Sequence, residues 1–212
     1  LLFPNTFDRD GIKSKLVTKS RLLIYSVTHK YKSNYDKFPF VQISEKEAVI
    51  SGWEEIISEI KEKQPKTIVI ECYHGVSVKL LISKLKLYFT DATVLSMTRG
   101  FRGEALIEQY LRPFLTNDRI FGRMSDLTLD AYFEGYELNK MKREWCKIRG
   151  VKIAIGVGAS LLCEDSDLFI YADMPRWEIQ KKFRKKILGN IGASNAGEDF
   201  FLLYKRAYFC DW

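Results

Sequence analysis

The residues of this 212-residue chain that could do chemistry gather where a predicted strand gives way to a turn. The first such place is IVIECYHGVSVKLLISKL, Ile68 to Leu85, a strand, turn and helix in the order used by phosphate-binding loops. A Walker A loop requires G-x-x-x-x-G-K-[ST]: glycines let the backbone wrap phosphates, lysine neutralises them, and the hydroxyl holds magnesium. Here Gly75 stands alone, and Lys79 follows four residues later inside the predicted helix with no Ser/Thr beside it. The helix N-terminus after Gly75 could still hold an anion through free N–H groups and its dipole; a plain tight turn between strand and helix is the alternative.

Two further turns offer similar chemistry. MTRGFRGE carries Arg99, Gly100, Arg102 and Gly103, guanidinium groups with permissive glycines that suit phosphate oxygens, or equally a solvated loop. Gly156-Val157-Gly158-Ala159-Ser160 is a lone GxG, read either as a phosphate contact at Gly158 or as close packing of strand on helix. After Asp173 a basic helix, Arg176 to Lys186, holds six positive residues. Arg176 and Arg184 are its candidates for reaching a phosphate; a solvated face is the other reading. Ile179, Phe183 and Ile187 recur on its packing face.

Metal and nucleophile chemistry find less support. The only histidines are His29 and His74, and Cys72, Cys146, Cys163 and Cys210 lie far apart without a CxxC pair, so a zinc site of standard spacing is not expected. The thiols read as buried or inert, and His74 as a satisfied turn histidine with only Glu71 as a nearby carboxylate in sequence. There is no GxSxG, HExxH, HRD or DFG motif.

The elements that position these residues follow from periodicity. Lys66 to Cys72, Ala92 to Met97, Val151 to Gly156 and Asp167 to Asp173 are short apolar runs separated by amphipathic helices. That grammar predicts an α/β fold, a mainly parallel sheet covered by helices on both faces. A helix is expected from Ser51-Gly52 to Gln64-Pro65 and another around Ala105 to Leu111, then a mostly helical stretch from Pro113 to Arg149 broken at Gly122 and Gly135. LLYKRAYFCDW at the end has strand composition. Residues 1–50 read as an arm or small ribbon, with a strand at Arg21 to Thr28, ahead of the α/β domain at 51–212.

A composition of 46% hydrophobic and 29% charged residues excludes a wholly disordered or low-complexity chain. The formal net charge of +7 is spread along the sequence among acidic residues, which favours a phosphorylated small molecule or nucleotide over nucleic acid. No apolar run approaches a membrane span, so neither a membrane partner nor a compartment other than the reducing cytosol is expected.

Several blocks together, SNYDKFPFVQI, GWEEI, IECYHGV, GASLL, DLFIYADMPRWEIQKKFR, GNIGASN and YKRAYFCDW, resemble the N-terminal domain of bacterial class I mannose-6-phosphate isomerase-like proteins. In that family a P-loop-kinase-like domain precedes cupin domains that carry the zinc-dependent isomerase. The resemblance covers residues 33 to 212, and in layout the domain is also similar to uridine kinases with a degenerate Walker A. It implies a domain that binds a phosphorylated ligand or regulates the isomerase, with Gly75, Lys79, Arg99, Arg102, Gly158, Asp173, Arg176 and Arg184 as the phosphate-facing residues. It implies zinc only in a downstream cupin domain and no cofactor in this segment; a homodimer is an option. The missing methionine at Leu1 and the end at Trp212 fit a fragment. An atypical nucleoside or sugar kinase using Lys79 and Asp173, and a scaffold that binds nothing small, are the alternatives.

Overall fold

Four short, largely apolar strands define the architecture through their hydrogen bonds. The computed structural model describes residues 49–163 and 165–212, which form one compact unit from Val49 to Trp212. The expected arm falls outside these residues, save for Val49 and Ile50, as does the strand at Arg21 to Thr28. Strands β1 (Thr67–Cys72), β2 (Thr93–Ser96), β3 (Lys152–Gly156) and β4 (Leu168–Ala172) make an all-parallel sheet in the order β2-β3-β1-β4. The register pairs Glu71 with Gly156 on one side and with Tyr171 on the other. The expected α/β fold with a parallel sheet flanked by helices is therefore present.

Alternation along β1 sorts the core into two layers. Ile68, Ile70 and Cys72 join Ile153 and Ile155 under α1 (Trp53–Glu62) and α2 (Val78–Tyr88), which contribute Ile57, Ile60 and Leu85. Val69 and Ala154 face the other way, into a layer with Ile107 and Leu111 of α3 (Glu104–Leu115) and Met141 and Trp145 of α4 (Gly135–Lys147). Each such aliphatic side chain, buried to a few per cent exposure, stabilises the fold by about 1.5–3 kcal/mol before entropy is counted. Ser77 caps α2, its hydroxyl accepting from the Leu80 N–H at 3.4 Å.

Four expectations need correction. The sheet is not covered on both faces throughout: β4 alternates, and Phe169 and Tyr171 stand 54% and 55% exposed, as an edge strand permits. Pro113 does not begin a new segment. It sits in the last turn of α3, where its missing N–H forfeits only one ladder bond and buried Leu111 and Phe114 hold the helix on the core. The following stretch is irregular up to a 3₁₀ turn at Leu129–Tyr132. LLYKRAYFCDW is helix, not strand: α6 (Phe200–Arg206), capped by Asp199, widens into one π-helical turn at Ala207–Asp211. Finally, α5 (Arg176–Arg184) buries Ile179 and Phe183 but stops before Ile187, which is 66% exposed.

Among its described residues the connection from β3 to β4 has no α-helix. It passes over the carboxyl end of β1, which lies between them in the sheet, and carries only the 3₁₀ turn Ala159–Leu162, with Ala159 and Leu162 buried. At the opposite end of the sheet Asp167 ties the start of β4 to that of β1, accepting from the Lys66 and Thr67 N–H groups at 2.9 and 2.8 Å and from the Thr67 hydroxyl at 2.8 Å.

Candidate functional site

Ligands of parallel α/β sheets gather outside the carboxyl ends of the strands, so those ends come first. Gly75 has φ +90°, and a Cβ there would lie 2.8 Å from Ile179 Cγ1. Its close approach is thus to α5, and its carbonyl accepts from Lys182 Nζ at 2.8 Å. His74 is buried and used up: Trp212 Nε1–H donates to Nδ1 at 3.0 Å, and Nε2 lies 2.8 Å from the Gly189 carbonyl. An indole N–H can only donate, so Nδ1 is the acceptor and Nε2 carries the proton. Lys79 is exposed on α2.

Burial holds the His74 pKa below its ordinary value, aided by Arg206 and Lys182 and opposed by Asp211 and the Gly189 carbonyl. Below the unfolded-state value of 6.5 the unfolded chain takes up a proton that the folded one refuses. Stability is therefore full above that pH and falls as pH drops, by at most about 1.4 kcal/mol per pH unit, until the folded-state pKa is reached. Urea unfolding at pH 7.5 and 5.5 should show a larger loss for the native sequence than for His74→Gln; equal losses would remove His74 as the cause.

The GxG turn is already occupied by an anion belonging to the chain. The Glu71 carboxylate accepts from Gly158 N–H at 2.6 Å, from Ser160 N–H at 2.8 Å and from the Ser160 hydroxyl at 2.8 Å. Gly158 adopts φ +82°, and a Cβ on it would come within 2.6 Å of Phe133. The donors that a phosphate would use are thus committed to β1.

The remaining expected residues each meet partners within the chain. Arg99 is paired with Glu144 of α4. Arg102 donates from Nε to the Ala131 carbonyl at 2.9 Å, lies 3.5 Å from Glu134 and stacks on Tyr110. Arg176 reaches the Tyr73 hydroxyl at 3.4 Å and lies over the Trp212 ring. Arg184 covers Phe200, 4.2 Å from the ring centre. Asp173 accepts from the Met174 N–H.

A different place gathers polar groups. Between the end of α3, the turn after it, the Asn190–Glu198 loop and α6 opens a cleft of about 880 Å³. Four cations, Arg112, Arg119, Lys205 and Arg206, share its wall with Glu108, Asp118 and Glu198 and with the amides of Gln109, Asn190 and Asn195. Arg206 is only 5% exposed and Lys205 6%. Lys205 Nζ donates to the carbonyls of Thr116 and Asp118. Arg206 donates through Nη2 to the Ile191 carbonyl at 2.6 Å. Its Nε, 3.6 Å from Asp211 Oδ1, has no hydrogen-bond partner among the described residues.

Behind this wall stands a buried knot centred on Asp211. Its carboxylate accepts from Asn190 Nδ2 at 2.8 Å, from the Tyr132 hydroxyl at 3.1 Å and from Ile191 N–H at 3.3 Å. The π turn brings Asp211 to this position; Trp212 N–H closes it on the Ala207 carbonyl at 2.9 Å. Burial and the Asp211 charge raise the Tyr132 phenol above its usual range. Burial also pushes the Cys72 and Cys210 thiols up to about 11 and about 12, so both are poor nucleophiles at neutral pH.

None of Lys205, Arg206, Asp211, Asn190 and Asn195 stands in a recognisable chemical motif, although GNIGASN and YKRAYFCDW, which hold them, are among the blocks that carry the family resemblance; Arg112 and Arg119 have no signal of their own. Among the described residues there is no group of three or more His, Cys, Asp or Glu side chains that could hold a metal ion. No helix among them is long and apolar enough to cross a membrane.

Fold and site together define a parallel α/β domain with a mixed-charge cleft between α3 and α6. Residues 52–212 match the model of a family described as a domain of unknown function, DUF8485, and the chain belongs to that family. No curated protein matches the chain, and no solved structure does.

Proposed function

We propose that the domain is a non-catalytic binding module for a phosphorylated sugar-type small molecule, held in the cleft between α3 and α6. The observation that carries this reading is a pair of nearly buried cations, Lys205 and Arg206, in the wall of an 880 Å³ cleft. Arg206 already has Asp211 as its counter-ion, but Lys205 is held by two neutral carbonyls and pairs with no carboxylate among the described residues, so an anion beside it offsets the cost of burying its charge. The mixed lining suits a phosphorylated polyol: guanidinium groups of Arg112 and Arg119 for phosphate oxygens, carboxylates of Glu108 and Glu198 and the asparagine amides for hydroxyls.

The similarity to the domain that precedes cupin isomerases suggests a sugar phosphate as ligand, and a role in docking or modulating such an isomerase, whose zinc would lie in that partner. The layout of β1 running through a single-glycine turn into α2 supports a degenerate P-loop-kinase-like ancestry. All four cysteines are free, in keeping with a cytosolic setting.

Calorimetry of the whole chain tests the cleft. Mannose 6-phosphate should bind, mannose should not, and Arg112→Ala and Arg119→Ala should each weaken binding by about tenfold or more, the worth of one charge-assisted hydrogen bond. Both residues are exposed, so the fold should survive. Absence of binding by mannose 6-phosphate, glucose 6-phosphate and inorganic phosphate at millimolar concentration would end this reading.

A further inference from the structure

Next to the cleft lies a second concavity of about 240 Å³, walled by Ile120, Phe121, Phe201, Tyr204, Tyr208 and Phe209. The two share Lys205, and the turn after α3 contributes to both: Thr116 to Arg119 line the cleft, Ile120 and Phe121 the groove. Asp118 fixes this turn, its Oδ1 accepting from the Ile120 and Phe121 N–H groups at 2.7 and 2.6 Å. Those bonds hold the Asp118 carboxyl below the usual carboxylate range, so the turn keeps its shape at neutral pH.

The groove is aromatic and open. Phe121 is 69% exposed and Phe201 50%, while Tyr204 stacks on Tyr208 with ring centres 6.1 Å apart. Arg119 lies over Phe201 at 5.2 Å and also lines the cleft, so one side chain touches both compartments. Exposed aromatic faces beside a cationic cleft are the combination that takes a flat ring by stacking and a phosphate by charge. The groove is below the size of pockets for drug-sized ligands, which leaves room for one ring system and not for a peptide segment. A sugar placed there would leave hydroxyls facing phenyl rings, and a lipid chain would leave the amides and carboxylates of the cleft without partners.

We propose that cleft and groove are two halves of one site and that its ligand is a nucleotide, with phosphate and ribose in the cleft and the base against Phe121, Phe201 and Tyr208. This rests on the cleft reading above and adds to it the chemical class of the ligand. Lys205, at the junction, lies where the phosphorylated sugar passes to the base.

Calorimetry on the full chain separates the two claims, using inorganic phosphate, ribose 5-phosphate, adenosine and the 5′-monophosphates of adenosine and uridine. At least one monophosphate should bind about tenfold or more tighter than ribose 5-phosphate, the worth of one base–aromatic stack. Phe121→Ala and Phe201→Ala should shrink that advantage to less than about threefold, with melting curves confirming that the exposed substitutions leave the fold intact. If ribose 5-phosphate binds and neither base adds affinity, the two-part site is overturned and the cleft reading stands. If adenosine binds as tightly as its monophosphate, the two-part site is overturned as well. If no phosphate-bearing compound binds, both readings fall.

Discussion

Replacing Asp211 with alanine is expected to cost the domain about 3–5 kcal/mol of stability, the penalty for breaking a buried ion pair from one side. The Asp211 side chain is fully buried and that of Arg206 is 6% exposed, so the guanidinium cannot recover water when the carboxylate leaves. The substitution also strips acceptors from Asn190, the Tyr132 hydroxyl and Ile191 N–H. For a domain of this size the melting temperature should fall on the order of 10 °C. Asp211→Asn keeps the shape and one acceptor oxygen but loses the charge, and should cost roughly half as much.

A double-mutant cycle isolates the ionic part. In an Arg206→Met background the buried guanidinium that faces Asp211 is gone, so Asp211→Ala should cost at least about 1.5 kcal/mol less than in the native sequence. Equal costs in the two backgrounds would mean that the knot is held by its neutral hydrogen bonds alone. Because Asn190 and Arg206 both line the cleft and both lean on Asp211, the same substitution should weaken sugar phosphate binding even at temperatures where the variant is folded.

How far the sequence discloses this arrangement depends on the range of the interaction. Ile68 to Ile70 and Ile153 to Ile155 are apolar at successive positions because they lie in central strands buried on both faces, so the parallel sheet is legible. β4 has similar composition, but an edge strand buries one face only, and nothing in DLFIYAD by itself says which side lacks a neighbour. In LLYKRAYFCDW aromatic residues imitate a strand; the burial of Leu203 and Ala207, four apart, is the helical period that composition hides.

The site was harder to foresee for the same reason. Gly158 is legible as a place of close approach, yet what approaches is Glu71, 87 positions earlier. Arg99 looks available for phosphate until Glu144, 45 positions later, is brought against it. Lys205 and Arg206 are hidden in a segment of strand composition, and a sequence does not show that Thr116 and Asp118 will offer their carbonyls to Lys205 from 87 or more residues away. Local patterns report the elements, whereas commitment of a donor or acceptor is decided by contacts between elements.

The sharpest test of which anion the strand ends hold is Glu71→Ala. Glu71 joins β1 to the loop that crosses above it through one hydroxyl and two N–H donors, all within 2.8 Å. Without the carboxylate those two N–H groups lose their acceptor in a half-buried position, and the crossing is held only by Ala159, Leu162 and neighbouring apolar contacts. A loss of about 3 kcal/mol is expected, since charge-assisted bonds contribute about 1.5–3 kcal/mol each and share one geometry. Ser160→Ala removes one donor from a still-bound carboxylate and should cost about 1 kcal/mol. The vacated donors should accept a substitute, so formate at tens of millimolar should raise the melting temperature of Glu71→Ala by more than that of the native chain. A variant that melts with the native protein and ignores formate would show that the GxG turn does not depend on Glu71. Its N–H groups would then be free for a ligand phosphate, and the site would move back from the cleft to the strand ends.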